Sequence, residues 1–276
     1  MPHDARSGIT GRTGVLAIFG DPLEQARAPG LVNASLAARA VDAVLVPLRV
    51  PRGALPAVIA GVRAIESFRG AVVTMPHKTA VVELLDEVRP EARQVGACNV
   101  FRRDAADRLV GAMLDGEGFT VALRRAGVDV RGKRVWLAGA GGAAAAIAFA
   151  MAKYGAATLA LHNRTVEKAE ALAARLRAAH PGLDVRVRGP RPERSDVVIN
   201  ATSLGMRPDD PLPLDPLGFG PGMVAADVVI RDEPTPFLAA AAARGCAVQP
   251  GLPMLVEQIE QLLDFMIGPC DASRAP

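Results

Sequence analysis

The sequence predicts a two-domain α/β protein with a cleft between its domains, and three features support this prediction. Short apolar runs typical of buried strands alternate with helical segments along almost the whole chain, as in parallel sheets covered by helices. A glycine loop near the middle begins a second series of the same kind. The length, 276 residues, allows one large domain or two small ones with a sizeable core.

The first series is expected to hold strands at 15–19, 44–47 and 71–74. Helices are expected at 29–40, 53–64, 79–87 and 91–95. A hairpin from 98–102 and 108–112 turns around Asp104 and Asp107, and a helix at 116–126 leads into the second series. We expect residues 14–115 to form the first domain and residues 1–13 to be a flexible tail.

The second series is expected to form the other domain, residues 116–252. Its strands are expected at 134–138, 157–162, 184–187, 196–200, 223–229 and 246–249. A proline-rich stretch at 208–221 is a long loop, and a final helix is expected at 253–267.

The composition excludes several classes of function. The net charge is +3, the arginines are scattered and aromatic residues make up 4%, which argues against nucleic-acid binding. No apolar window is long enough for a transmembrane helix, and residues 1–13 lack the apolar stretch of a signal peptide. Three distant cysteines, Cys98, Cys246 and Cys270, indicate reduced thiols in a cytoplasmic protein, and the four histidines show no metal-ligand spacing.

The glycine loop follows an apolar strand and opens an Ala-rich helix, the context of a dinucleotide fingerprint in a Rossmann-type domain. Gly139 permits the tight turn, Gly141 lets a pyrophosphate approach the backbone, and Ala144 is small enough for close helix–strand packing. Gly142 and Ala143 then open the helix, whose N–H groups and dipole favour a phosphate.

The residues after the next strand indicate which dinucleotide binds. An NAD site usually has Asp or Glu there, whereas this chain has Asn163, Arg164 and Thr165, with Lys168 one turn later. Two cations without a carboxylate favour the 2′-phosphate of NADP. The alternative is an ordinary turn of a parallel sheet with no ligand and a solvated arginine.

Hydride transfer to a ketone needs a group that donates a proton to the new alkoxide. Lys78 lies at the end of a predicted strand, and Asp115 lies where the chain crosses between domains. A lysine can act as acid or base with a carboxylate to position it. From these residues alone, an ordinary exposed lysine and a helix-capping aspartate explain the pattern better than a catalytic pair does.

Six short motifs carry a family resemblance. They are 73–78 (VTMPHK), 96–99 (GACN), 115–119 (DGEGF), 200–206 (NATSLGM), 234–236 (PTP) and 251–258 (GLPMLVEQ). With these motifs in this order, residues 15–267 resemble the shikimate dehydrogenase family.

The resemblance implies a catalytic dyad of Lys78 and Asp115, with Asn99 and Gln258 as partners of substrate hydroxyls and Thr74 beside them. It also implies that the last helix, within 253–270, packs back on the first, substrate-binding domain. NADP is expected on the glycine loop, with further contacts from Thr202, Met206, Val228, Gly251 and Met254. Met206, Met223 and Met254 suit either the nicotinamide pocket or core packing.

The chain departs from the family where the substrate binds. The family has Ser-x-Ser-Pro after its first strand, and its hydroxyls hold the substrate carboxylate; this chain has Ala26-Arg27-Ala28 before the proline. Arg27 could compensate, but in an extended segment it would point away from both alanines. Four other polar positions of the family are apolar here: Val72, Val100, Leu114 and Ile230.

These observations predict an NADP-dependent alcohol/ketone oxidoreductase for a cyclic hydroxy or keto substrate other than shikimate. The alternatives are a genuine shikimate dehydrogenase of aromatic amino acid biosynthesis, a quinate dehydrogenase, or a non-catalytic NADP-binding regulator. The expected partner is a small molecule, without nucleic acid or membrane, and the expected state is a monomer or homodimer. Cys98 is expected to be a buried filler, His77 a solvated or capping histidine, and His162 to lie near the adenine or face solvent.

Overall fold

The computed structural model describes residues 8–207 and 209–268, which divide into two compact units. The N-terminal unit runs to Leu114 and resumes at Gln258, and the second unit is Asp115–Glu257. Asp115 and residues 253–257 therefore belong to the second unit, although the sequence analysis assigns them to the first domain. Within the expected tail, residues 1–7 lie outside the described residues, and the N–H of Thr13 donates to the carbonyl of Thr10 at 3.1 Å in a turn.

The N-terminal unit contains a six-stranded mixed sheet. Its strands are β1 (Gly14–Gly20), β2 (Ala43–Arg49), β3 (Phe68–Val73), β4 (Glu87–Val88), β5 (Val100–Arg103) and β6 (Leu109–Ala112). The spatial order is β2-β1-β3-β5-β6-β4, and β5 runs antiparallel to both neighbours. The predicted hairpin is confirmed as β5 and β6, and its insertion beside β3 makes this sheet mixed. Its turn is stabilised by Asp104, whose carboxylate accepts from the N–H groups of Ala106 and Arg108, both at 2.9 Å.

The helices of this unit are α1 (Ala28–Ala38), α2 (Leu55–Arg63) and α3 (Pro90–Val95). The helix expected at 79–87 is wrong: only Ala80–Leu84 is helical, as a short 3₁₀ turn, and β4 follows it. Asp86 explains the change, because its N–H donates to the carbonyl of Leu109 and its carboxylate accepts from the N–H of Leu109. These hydrogen bonds hold the chain beside β6, where the next two residues form β4.

The second unit contains an all-parallel six-stranded sheet. Its strands are β7 (Arg134–Ala138), β8 (Thr158–His162), β9 (Asp184–Val187), β10 (Val197–Asn200), β11 (Val224–Asp227) and β12 (Ala247–Gln249). Its helices are α4 (Asp115–Arg125), α5 (Gly142–Lys153), α6 (Val166–Ala179), α7 (Pro236–Ala242) and the start of α8 (Leu252–Ile267). The order β12-β11-β10-β7-β8-β9 reverses between β7 and β10, the point at which doubly wound sheets bind their ligands.

Helices α4 and α5 pack closely through a glycine. A Cβ atom on Gly116 would lie 2.4 Å from the carbonyl oxygen of Ala146, so no side chain fits between the two backbones. Glu117 adds a polar tie, since its carboxylate accepts from the hydroxyl of Tyr154 at 2.6 Å and lies 3.2 Å from the ammonium of Lys153. The helix that begins at Asp115 is therefore fixed to the helix that follows the glycine loop.

From Gln258 onward, α8 packs against the N-terminal unit. Arg39, the residue that follows α1, pairs with Glu260 and, at 2.7 Å, with Asp264, and its side chain is 7% exposed. The hydroxyl of Ser35 donates to Glu260 at 2.6 Å. In the part of the chain that the structure describes, no helix has the length and apolar character needed to cross a membrane.

We predict that Gly116→Ala lowers the free energy of unfolding by about 1–3 kcal/mol, since the added methyl group overpacks the α4–α5 contact. Gly61→Ala is the matched control: a Cβ there meets no atom within 4 Å, and alanine in a helix gains about 0.5–1 kcal/mol over glycine. Urea unfolding of the two variants measures both effects. Equal stability of Gly116→Ala and the native protein would contradict the prediction.

Candidate active site

The loop after β3 carries two of the predicted site residues, Thr74 and Lys78. The N–H of Thr74 donates to the carbonyl of Phe19 at 2.8 Å, which holds the loop against the end of β1. A Cβ on Gly20 would lie 2.4 Å from the methyl group of Thr74, so glycine is what allows this approach. Thr74 and Lys78 are both half-buried.

His77 is a structural anchor of this loop, which corrects the expectation of a solvated or capping histidine. Its side chain is 1% exposed, and its Nε2 lies 2.7 Å from the carbonyl oxygen of Val50, to which it donates. The next residue is also held by its backbone, because the carbonyl of Lys78 accepts from the N–H of Cys98 at 2.8 Å. The main chain that carries Lys78 is thus fixed on both sides.

Asn99 and Gln258 lie together, although they are far apart in the sequence. Both are buried, and the side-chain amide of Asn99 donates to Oε1 of Gln258 at 3.3 Å. Oδ1 of Asn99 accepts from the N–H of Leu114 at 2.8 Å. The structure therefore brings together these two predicted substrate partners at the end of the N-terminal unit's main segment.

The segment that replaces the family's Ser-x-Ser is not extended. Arg27 has helical backbone angles, φ −89° and ψ −18°, and it precedes the first residue of α1. The sequence argument that an extended Arg27 points away from Ala26 and Ala28 therefore does not apply. Ala28 is buried at 4% exposure, Ala26 is half-buried, and Arg27 is exposed.

The other apolar replacements occupy two environments. Val72 and Val100 face each other across β3 and β5, and both are buried in the sheet. Leu114 and Ile230 are half-buried in separate units. The thiol of Cys98 is fully buried, and burial raises its pKa to about 12, so it is the inert filler that the sequence predicts.

The glycine loop of the second unit has the geometry of a phosphate cradle. Gly139 has φ +116°, and a Cβ there would lie 2.8 Å from the carbonyl oxygen of Ala201 and 3.2 Å from the Cβ of Ala144. Gly141 faces open space and precedes α5 without a side-chain cap, which leaves the first N–H groups of Gly142 and Ala143 for an anion. These features fit the pyrophosphate of a dinucleotide.

The end of β8 presents exposed cations. The side-chain amide of Asn163 donates to the carbonyl of Thr165 at 2.8 Å, which closes the loop before α6. Arg164, Thr165 and Lys168 are exposed. Among the described residues, no carboxylate forms an ion pair with Arg164 or Lys168.

A buried polar network joins the ends of β10 and β11, and the sequence analysis missed its centre, Asp227. Asp227 is 0% exposed and accepts from the amide of Asn200 at 3.0 Å, the N–H of Val229 at 2.9 Å and the hydroxyl of Thr235 at 2.6 Å. Burial raises the pKa of Asp227 to about 6, against the opposing effect of these hydrogen bonds. A carboxylate at the end of an apolar strand is the sequence signal that could have identified it.

The same network positions the loop after β10. Oδ1 of Asn200 accepts from the N–H of Thr202 at 3.1 Å and from its hydroxyl at 2.7 Å. The amide of Asn200 also donates to the carbonyl of Leu204 at 3.0 Å. Two predicted cofactor residues, Thr202 and Met206, therefore lie on a loop that is tied to Asp227.

Gly251 and Val228, also predicted cofactor residues, are in direct contact. A Cβ on Gly251 would lie 2.8 Å from the carbonyl oxygen of Val228, so only glycine fits. Met254 is buried at the start of α8, and Met206 is half-buried. Met223 packs against a hydrophobic core cluster with Trp136, which favours core packing for this methionine.

Asp115, the other predicted member of the dyad, is the first residue of α4 and is 3% exposed. Histidine, cysteine, aspartate and glutamate residues in the described ranges form no group of three that could hold a metal ion.

Comparison with known protein families agrees with this arrangement. The model described as "Shikimate dehydrogenase substrate binding domain" matches residues 18–101, and the model described as "Shikimate / quinate 5-dehydrogenase" matches residues 120–205. The chain belongs to the shikimate dehydrogenase family.

Relatives and solved structures of this family span nearly the whole chain. The shikimate dehydrogenase (NADP(+)) of Moorella thermoacetica is 43% identical over 258 residues, 91% of this chain and 86% of its own length. Shikimate 5-dehydrogenase from Thermus thermophilus, solved with NADP(H) and shikimate, has a TM-score of 0.82 at 33% identity, covering 94% of this chain and 95% of that one. The 5-ketofructose reductase of Gluconobacter sp. strain CHM43 has a TM-score of 0.81 at 31% identity and covers 95% of each chain.

We predict a stability effect of pH that comes from Asp227. Its folded pKa of about 6 exceeds the ordinary 3.8, so between these values the folded state holds a proton that the unfolded state has lost. Its contribution to the unfolding free energy therefore falls as pH rises from about 4 to 6, by up to about 3 kcal/mol at 1.4 kcal/mol per unit. Asp227→Asn removes this slope.

The measurement is urea unfolding of the native protein and the variant at pH 4.5, 5.5 and 7.0. At each pH, the unfolding free energy of the variant is subtracted from that of the native protein, and this difference should fall as pH rises. Asp196→Asn is the control, because Arg134 lowers the pKa of Asp196 to about 2 and its pH window lies below 3.8. That variant should show no change in its difference from the native protein over the same range. If the unfolding free energy of the native protein minus that of Asp227→Asn stays constant or rises with pH, the prediction is contradicted.

Proposed function

We propose that this chain, an NADP-dependent oxidoreductase of the shikimate dehydrogenase family, transfers hydride between the nicotinamide and a cyclic hydroxy or keto compound other than shikimate. The substrate is neutral, or less hydroxylated than shikimate. The observation that carries this proposal is the pair Ala26 and Ala28, which stand where the family has the two serines of its carboxylate site.

The energetic argument rests on an unpaired charge. A carboxylate that enters a pocket without its hydrogen-bond donors costs several kcal/mol. Each hydrogen bond to a charged group contributes about 1.5–3 kcal/mol, and sites that pair polar groups discriminate strongly by them. Ala28 is buried and Ala26 half-buried, and neither side chain can donate. Val72 and Val100 also offer no polar group.

A protein of similar fold supports this substrate class. The Gluconobacter 5-ketofructose reductase, by its name, reduces a keto sugar, a compound that has no carboxylate. Because its structure matches this chain over 95% of its length, the fold is compatible with a neutral ketone substrate.

The proposed chemistry assigns the proton to Lys78 and Asp115. When bound, NADP supplies or accepts the hydride. Lys78 donates the proton to the new alkoxide and accepts it in the reverse direction, and Asp115 positions the ammonium through its charge. Asn99 and Gln258 hold a hydroxyl of the substrate ring through their amides.

Buried free cysteines such as Cys98 suit a reducing compartment, and we place the enzyme in the cytoplasm.

A second candidate is shikimate itself, the substrate in the name of the Moorella relative. The helical backbone of Arg27 favours shikimate as the substrate. Successive side chains point to opposite sides only in an extended chain, so this geometry does not turn Arg27 away from Ala26 and Ala28. In this case Arg27 would supply the charge that the serines supplied.

We predict that Lys78→Ala lowers kcat by about 10²–10⁴, the usual effect of losing a positioned acid or base. The dissociation constant of NADP⁺ should change less than twofold. The exposed Lys133 provides the matched control Lys133→Ala, which should keep native kcat. Steady-state kinetics with the best substrate of the screen below measures kcat. Native turnover in Lys78→Ala would remove this lysine from the chemistry.

We also predict that a screen of cyclic alcohols and ketones with NADP⁺ or NADPH, including shikimate and quinate, finds the highest kcat/KM for a compound without a carboxylate. The double variant Ala26→Ser/Ala28→Ser should raise kcat/KM for shikimate at least tenfold and should not raise it for the preferred compound, because it restores donors for the carboxylate alone.

Arg27→Gln separates the two candidates. With a neutral substrate, this variant should leave the low kcat/KM for shikimate unchanged. With shikimate as the true substrate, the native protein should reach a kcat/KM of about 10⁵ M⁻¹s⁻¹, an ordinary enzyme efficiency, and Arg27→Gln should lower it. Tight NADP⁺ binding with no turnover of any compound would instead indicate a regulator.

A further inference from the structure

The carboxyl end of β9 places an arginine beside the loop that carries Arg164. Strand β9 lies next to β8, and the parallel register aligns Leu161 with Val187. The N–H of Arg188, the residue after β9, donates to the carbonyl of Leu161 at 2.8 Å. Its carbonyl lies 3.1 Å from Nδ1 of His162. Because parallel strands end at one edge of a sheet, Arg188 lies at the same edge as Asn163 and Arg164.

Three other arginines of the groove beside this part of the sheet, Arg134, Arg186 and Arg191, are paired with carboxylates. Arg186 lies 2.6 Å from Asp184, and Arg134 lies 2.8 Å from Asp196. Arg191 pairs with Asp215 at 2.6 Å and with Glu193 at 3.5 Å.

The three cations at the carboxyl edge of the sheet differ from these paired arginines. Arg164, Lys168 and Arg188 are all exposed, and within the described residues none of the three forms an ion pair. Arg164 follows β8, Arg188 follows β9 and Lys168 lies in the first turn of α6, and these three cations favour a doubly charged anion at this edge.

Arg188 belongs to the face of the sheet that α5 and α6 leave open. A groove on this face is lined by Trp136, Ala160, Arg186 and Arg188. His162 stacks on Trp136 with ring centroids 5.5 Å apart, so the last residue of β8 is on the same face. Arg188 therefore lies where the groove meets the carboxyl edge of the sheet.

We propose that Arg188 is an additional determinant of the preference for NADP over NAD, through a charge-assisted contact with the 2′-phosphate. The proposal rests on the placement of NADP on the glycine loop and the Asn163–Lys168 segment. Within the described ranges, Arg188 forms no salt bridge that would have to break before it contacts a phosphate, whereas Arg186 is paired with Asp184. The backbone of Arg188 is held by β8, so the contact orders only the side chain.

The test measures binding rather than turnover. Titration calorimetry of the full chain gives dissociation constants for NADP⁺, NAD⁺, 2′,5′-ADP and 5′-AMP, the last two differing by the 2′-phosphate alone. Arg188→Gln should weaken NADP⁺ and 2′,5′-ADP about tenfold, the size of one charge-assisted contact at an exposed site. NAD⁺ and 5′-AMP should change less than twofold.

Three variants serve as controls. Arg186→Gln removes an arginine of the same strand that is already paired with Asp184, and Arg194→Gln removes an exposed arginine of the same groove for which the described residues provide no ion pair. Both should leave the four constants within twofold of native. Arg188→Lys keeps the charge and should retain part of the preference.

The outcomes distinguish a failure of the Arg188 inference from a failure of the proposed NADP placement at the Asn163–Lys168 segment. If Arg164→Gln abolishes the preference for 2′,5′-ADP but Arg188→Gln does not change it, Arg188 has no role. If Arg194→Gln weakens 2′,5′-ADP as much as Arg188→Gln does, general electrostatic attraction explains the effect and the contact is refuted. If neither Arg164→Gln nor Arg188→Gln changes the preference, the 2′-phosphate lies elsewhere and the placement fails as well.

Discussion

The second unit depends on hydrogen bonds to a carboxylate that water cannot reach. Asp227 ends an interior strand, and desolvation makes its charge costly unless donors surround it. Those donors come from the neighbouring strand at Asn200, from the loop after β11 and from Thr235, whose oxygen also accepts from the N–H of Leu238 in the first turn of α7. One buried charge therefore fixes two loops and one helix at the carboxyl edge of the sheet.

Charge is distributed differently over the two candidate sites. The candidate substrate site has a buried pair of neutral amides, Asn99 and Gln258, and the apolar replacements Ala26, Ala28, Val72 and Val100. The cofactor side holds exposed cations on the ends of β8 and β9. This contrast agrees with our proposal that the chain keeps the dyad and the NADP site of its family and acts on a different substrate.

Some elements were predictable because local pattern and tertiary environment agree. The strands at 134–138 and 184–187 have the predicted bounds, since short apolar or alternating runs between turns have few other uses. The helix expected at 79–87 was not predictable, because Asp86 gains hydrogen bonds to Leu109 that a helix would forbid. His77 was misjudged for a similar reason: its partner, the carbonyl of Val50, comes from a distant loop.

The sequence by itself determined the α/β class, the glycine loop and the family, because these depend on residues that are close along the chain or on motifs in a fixed order. Only the tertiary structure decided that Asn99 contacts Gln258, 159 residues away, and that Arg188 lies beside the end of β8. It also showed that Arg27 is helical. Strand order and long-range hydrogen bonds bring such residues together, and neither leaves a periodic signal in the sequence.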